Sequence, residues 1–143
     1  MNTMEQNILN KGQEVSKLPE NYTVIDIETT GLSPTMNEII QLSALKIKND
    51  KIVDSFTSFV KPNGRISSFI SSLTGITNDM VSAAPQIKDV LNDYIDFIGQ
   101  DIIVGHNVHF DINFIHLQLS FLLKLPFHRL LKLHLVFFLL FQY

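Results

Sequence analysis

The stretch "YTVIDIETTGL", residues 22–32, constrains the fold more than any other. Tyr22, Val24, Ile25 and Ile27 favour extended backbone, so residues 22–27 are expected to form a β-strand. Residues two apart on a strand share a face. Asp26 and Glu28 therefore point together, while Ile25 and Ile27 point into a core. Gly31 lets the backbone reverse tightly just beyond them. Two carboxylates held this close repel each other unless a cation lies between them. Hard oxygen donors of this kind suit Mg2+ or Mn2+ rather than Zn2+. Taken alone, the triplet also fits a solvated strand end with two exposed acids. The turn adds Thr29 and Thr30, whose hydroxyls and backbone N–H groups are suited to a sugar or a phosphate.

The rest of the chain is expected to build a mixed sheet around that strand. Residues 37–50, "NEIIQLSALKIKND", and 51–62, "KIVDSFTSFVKP", read as two further strands. "NDK", residues 49–51 where the two meet, is a tight-turn signal, so they are expected to form a hairpin. Residues 66–77 read as a short helix closed by Gly75. Thr77 is placed to cap a second short helix, which Pro85 stops. Ile87, Val90, Leu91, Tyr94, Ile95 and Ile98 form one helical stripe. "DIIVGHN", 101–107, reads as a short buried strand, and "VHFDINFIHLQL" opens another helix. The order βββ, helices, β, helix predicts an α/β fold with a mixed sheet flanked by helices.

A second cluster, "VGHNVHFD", residues 104–111, lies where that late strand enters the helix. Asp111 falls in the first turns of the helix and can return toward the mouth of the sheet. His106 and Asn107 sit at the junction. Asn107 fits a plain helix cap as well as a substrate contact, and Phe110 fits a core position as well as a stacking platform.

Charge is distributed unevenly. Through Asp111 the chain holds 14 Asp and Glu against 8 Lys and Arg, a balance of −6, within a net charge of −3 over all 143 residues. Such a balance argues mildly against binding nucleic acid by charge alone. From Ile112 onward there are three bases, Lys124, Arg129 and Lys132, and no acid. Without cysteine, neither disulfides nor thiolate metal sites are open to the chain, and a reducing cytoplasm is the default expectation. The polar lead-in, residues 1–21, has no apolar signal core.

In their order and spacing, "DIETTG", "SSLTGIT" and "HNVHFD" resemble the DEDD 3′–5′ exonucleases, the DnaQ-like family with an RNase H-like fold. The likeness is nearest to the proofreading exonucleases of bacterial DNA polymerase III, especially the PolC type, and covers roughly residues 22–116. It implies removal of nucleoside monophosphates from a DNA 3′ end by two Mg2+ or Mn2+ ions. It places Asp26, Glu28 and Asp111 as metal-binding, catalytic acids. It also implies that Thr29, Thr30, His106, Asn107 and Phe110 line the pocket of the terminal nucleotide, with Leu73 wedged against the last base. A DNA polymerase is the implied partner.

The family pattern continues with a His-x4-Asp motif that supplies a general base and a fourth acid. Here no Asp or Glu follows Asp111, and neither His128 nor His134 is followed by an acid. Residues 112–143 contain 11 Leu and 6 Phe in 32 positions. A division into a lead-in (1–21), a C-terminally incomplete exonuclease domain (22–116) and an atypical Leu/Phe-rich tail (117–143), truncated or frame-shifted, is expected. Impaired exonuclease activity follows, with a non-catalytic remnant that binds metal or nucleic acid weakly as the alternative. A membrane or partner anchor ranks last. Charges and Pro126 interrupt the tail, and its one clean run, "LVFFLLF", is far shorter than the roughly 20 residues that span a bilayer.

Overall fold

The structure is a computed structural model that describes residues 18–124. The expectations placed on residues 125–143, and most of those on the lead-in, lie outside the described residues.

Strand β1 (Asn21–Thr29) extends two residues past the expected end and occupies the middle of the sheet. Its alternation is clean: Thr23, Ile25, Ile27 and Thr29 are buried, and Asp26 and Glu28 lie on the other face. Strand β2 (Ile39–Lys48) pairs antiparallel with β1, and β3 (Lys51–Phe59) pairs antiparallel with β2. Asn49 and Asp50 join the last two with φ of 48° and 60°. Both central residues are left-handed, the twist that matches a two-residue hairpin. Strand β4 (Ile103–Val104) runs parallel to β1 on its other side, giving the order β3-β2-β1-β4.

Strand β4 is much shorter than the expected 101–107, for two reasons. At its start, Asp101 is drawn sideways and accepts from Thr23 Oγ1 at 2.7 Å and Lys46 Nζ at 2.8 Å. At its end, Gly105 passes so close to β1 that a Cβ there would lie 2.9 Å from the Ile25 carbonyl oxygen. Asn107 then takes φ 49° and turns the chain into a helix.

Helix α1 (Ser68–Thr74) is capped by the Ser67 hydroxyl, which accepts from the Ile70 N–H at 3.2 Å, and by left-handed Gly75. Helix α2 (Asn78–Val81) is capped by Thr77, as expected. Helix α3 (Ile87–Ile98) buries Val90, Leu91, Tyr94 and Ile98. Helix α4 (Val108–Leu123) buries Val108, Ile112, Phe114, Ile115 and Leu119. These two helices and the apolar face of the sheet share the main core. A smaller core joins Ile40, Ile66, Ile70, Ile76 and Val81. Ile40 reaches it through a bulge: Glu28 pairs with Gln41 but Thr29 pairs with Ile39, which leaves Ile40 as the extra residue. Each such side chain contributes about 1.5–3 kcal/mol when fully buried. The bulge thus anchors α1 beside the strand end that carries the acids. Among the described residues no helix is long and apolar enough to cross a membrane.

Candidate active site

The site grows from an unfinished strand edge. The Thr23 N–H on β1 donates to the Ile102 carbonyl at 2.8 Å, but β4 pairs with β1 only at Thr23 and Val24. Four residues along the same edge, the Ile27 N–H has no strand to bond. Asp111, in the first turn of α4, supplies the acceptor: its Oδ1 receives the Ile27 N–H at 2.8 Å. A buried N–H left without a partner costs about 1–3 kcal/mol, so this bond has structural weight. It also brings the Asp111 carboxylate to the backbone between Asp26 and Glu28. Asp26 is exposed, Glu28 half-buried, and Asp111 only 4% exposed.

The three acids lie in one electrostatic field. Although the Asp26 side chain reaches solvent, the protein around its carboxylate partly desolvates it and raises its pKa, which His106 partly offsets. Glu28 is raised by burial and then by Asp26. Asp111 is pushed up to about 7, chiefly by burial; backbone N–H groups oppose the shift, and Asp26 and Glu28 add to it. Tyr94 lies behind them, its hydroxyl donating to the Ser43 carbonyl at 3.0 Å. Burial, Asp111 and Asp26 together raise its pKa. A divalent cation beside these carboxylates would reverse the carboxylate shifts, and oxygen donors suit Mg2+ or Mn2+. Among the described residues, however, no three His, Cys, Asp or Glu side chains close round a point that could hold a metal ion. The oxygen donor chemistry of these carboxylates fits such an ion.

The remaining candidates surround this field. Both threonine hydroxyls are engaged within the turn. Thr29 Oγ1 donates to the Gly31 carbonyl at 2.6 Å, and Thr30 Oγ1 accepts from the Glu38 N–H at 2.9 Å. Thr30 keeps a hydroxyl proton and Thr29 keeps lone pairs for a further partner. His106 is exposed and stands near enough to Asp26 to lower the pKa of that acid. Asn107 occupies the N-terminal cap position of α4, yet its side chain makes no capping bond, and it is exposed. Asn107 therefore caps the helix by backbone position, with its carbonyl accepting from the Phe110 N–H at 2.9 Å, and not by its side chain. Phe110 is half-buried and rests on Phe114 with ring centroids 4.9 Å apart. Leu73 stands on α1, 71% exposed, beside Phe69 at 72%.

Three features had no local signal in the sequence. Glu38 binds the turn after β1 to the loop before α1. The Tyr94 hydroxyl reaches β2, although only the apolar stripe marked that residue. The Thr23–Asp101–Lys46 cluster joins positions up to 78 apart, with Lys46 also 5.3 Å from the Phe97 ring centre.

A four-stranded mixed sheet of this order, flanked by helices, is the RNase H-like exonuclease fold. The chain belongs to the exonuclease family RNase_T, whose sequence model matches residues 23–140. It is similar to the PolC-type DNA polymerase III of Caldanaerobacter subterraneus subsp. tengcongensis, at 49% identity over 104 residues. That match covers 73% of this chain and 7% of the polymerase, so the chain spans a small fraction of that relative. Among solved structures, exonuclease X in complex with 5′ overhanging duplex DNA superposes with a TM-score of 0.56 at 32% identity, covering 64% of this chain and 52% of that one. The nuclease domain of 3′hExo, a DEDDh family member bound to rAMP, gives a TM-score of 0.64 at 26% identity, covering 79% and 64%.

Proposed function

We propose that the chain is a metal-dependent 3′–5′ exonuclease of the proofreading type. It would release nucleoside monophosphates from a single-stranded or frayed DNA 3′ end. The observation that carries this reading is the bond from the Ile27 N–H to Asp111, which brings a third carboxylate to the strand bearing Asp26 and Glu28. In this reading Asp26, Glu28 and Asp111 hold Mg2+ or Mn2+. Held by these carboxylates, such ions would supply water activation and charge neutralisation for a phosphodiester displacement. The protein's own residues receive the strand. Thr30 offers its remaining hydroxyl proton at the mouth, and Thr29 fixes the turn. Phe110 borders the mouth from α4 with an aromatic ring suited to stacking. His106 and Asn107 offer polar groups at the strand-to-helix junction, and Leu73 presents an apolar side chain to the terminal base.

The 143 residues contain no acid after Asp111, so they supply three of the four acids in the family pattern. Weak activity is therefore expected of these residues by themselves. A second reading, a non-catalytic domain that binds metal or a 3′ end weakly, is favoured by the lack of any Asp or Glu among residues 112–143. A division into lead-in, partial nuclease domain and atypical tail belongs to the same proposal, as do a polymerase partner and a cytoplasmic setting.

The deciding test uses 5′-labelled single-stranded DNA with Mn2+, with an Asp26→Ala control and an EDTA control. Shortening from the 3′ end that both controls abolish supports the enzyme. Mn2+-dependent DNA binding without shortening supports the second reading, and neither binding nor shortening would defeat both.

A further inference from the structure

Glu38 makes contacts out of proportion to its place in a surface loop. Its backbone N–H donates to Thr30 Oγ1 at 2.9 Å, and its carbonyl accepts from the Thr30 N–H at 2.8 Å. Its carboxylate faces the other way. Oε1 accepts from the Asn63 N–H at 2.9 Å and from Asn63 Nδ2 at 2.8 Å, and Oε2 accepts from the Gly64 N–H at 3.1 Å. One residue thus joins the turn that follows the acids to the loop that leads into α1.

The two walls it joins are the two sides of the nucleotide mouth proposed above. On one side, Thr30 and Gly31 follow Glu28 with only Thr29 between. Asn37, the neighbour of Glu38, braces this turn through the Ser33 N–H at 2.9 Å and lies where a Cβ on Gly31 would meet its side chain at 2.6 Å. On the other side, three residues separate Gly64 from the start of α1, which carries Phe69 and Leu73. That short connection is itself pinned, because Asn78 accepts from the Ile66 N–H and donates to the Ile66 carbonyl, each at 2.9 Å. The smaller core holds α1 against Ile40, but apolar contact is non-directional and does not set the angle at which the loop meets the turn. The three carboxylate bonds are directional and charge-assisted, and they do.

We infer that Glu38 is a positioning residue for the 3′-terminal nucleotide. It sets the spacing between the Thr29–Gly31 turn and the Leu73-bearing helix without touching the reacting atoms. This rests on the exonuclease reading for its function, but the mechanical coupling stands independently.

The experiment compares the full chain with Glu38→Gln and Asn63→Ala. Glutamine keeps the oxygen that receives both Asn63 donors and turns an amide N–H2 against the Gly64 N–H, so it loosens the clamp without emptying it. Amide hydrogen exchange is read at residues 29–32, whose own backbone bonds neither substitution touches. Exchange there is expected to quicken about tenfold in both variants, and the double variant should add little because the two act through one contact. With Mn2+ and labelled single-stranded DNA, KM is expected to rise about tenfold with kcat changed less than about twofold, the pattern of terminal-nucleotide binding lost equally from ground and transition state. Unchanged exchange at 29–32 in both variants overturns the clamp, and so does a fall in kcat at constant KM. A wild-type chain that shortens no DNA defeats the exonuclease reading alone, and the exchange result still decides the coupling.

Discussion

Asp111 performs two tasks that oppose each other. As an acceptor it completes the hydrogen bonding of β1 at the Ile27 N–H. As a buried acid beside two others it is costly to ionise, which is why its pKa reaches about 7. The consequence for stability has a definite sign. Between the ordinary value of 3.8 and about 7, the folded chain holds a proton that the unfolded chain has released. Stability in EDTA should therefore rise as pH falls from 8 through 7, and stop rising below the ordinary carboxylate range. The raised values of Asp26 and Glu28 act in the same direction. Thermal unfolding followed by circular dichroism at pH 8 and pH 6 checks this; a lower Tm at pH 6 would contradict it. Asp111→Asn keeps an acceptor for Ile27 and removes the charge. It should stabilise the metal-free chain at pH 8 by on the order of 1–2 kcal/mol, flatten the pH dependence and abolish Mn2+ binding. Calorimetric Mn2+ titration beside the melting curves reads all three effects.

Two glycines at the ends of elements separate conformation from contact. Gly75 caps α1 at φ 76°, with nothing within 4 Å of a Cβ built on it. Gly75→Ala should cost about 1 kcal/mol, roughly 3 °C in Tm, and leave Mn2+ affinity unchanged. At Gly105 a Cβ would press on the Ile25 carbonyl oxygen at 2.9 Å and on Val108 Cγ2 at 3.2 Å. Gly105→Ala should cost about 2–3 kcal/mol, and it should weaken Mn2+ binding because it moves the start of α4 away from β1. Equal effects on Mn2+ from the two substitutions would refute this account of the junction. The same elements show what was legible beforehand. The Thr77 and Gly75 caps, the Asn49–Asp50 turn and the α3 stripe rest on interactions a few residues long, and they stand where local chemistry placed them. The length of β4 was not legible. It depends on Thr23 and Lys46 drawing Asp101 aside across the sheet, and on how closely Gly105 passes β1. Asn107 shows the same limit: its residue type suggested a cap, but its left-handed backbone follows from how the chain must leave β4.

At the scale of the molecule, the acids outnumber the bases through Asp111, and three of the acids face the candidate site. A polyanionic strand should therefore be repelled until a divalent cation intervenes. Fluorescence anisotropy with labelled single-stranded DNA should show affinity at least about tenfold weaker in EDTA than in Mn2+, and equal affinity in both would count against metal-mediated binding. The candidate acids could be read from sequence because spacing on one strand and one helix turn largely determines their placement. The clamp at Glu38 could not, because its partners lie 8 to 26 residues away and meet it only after the sheet has formed. The bond between Asp111 and Ile27 also separates what the fold needs at this position from what it does not. Asparagine would make the same bond without the burden of a buried charge, so the backbone of β1 requires an oxygen acceptor there and not an acid.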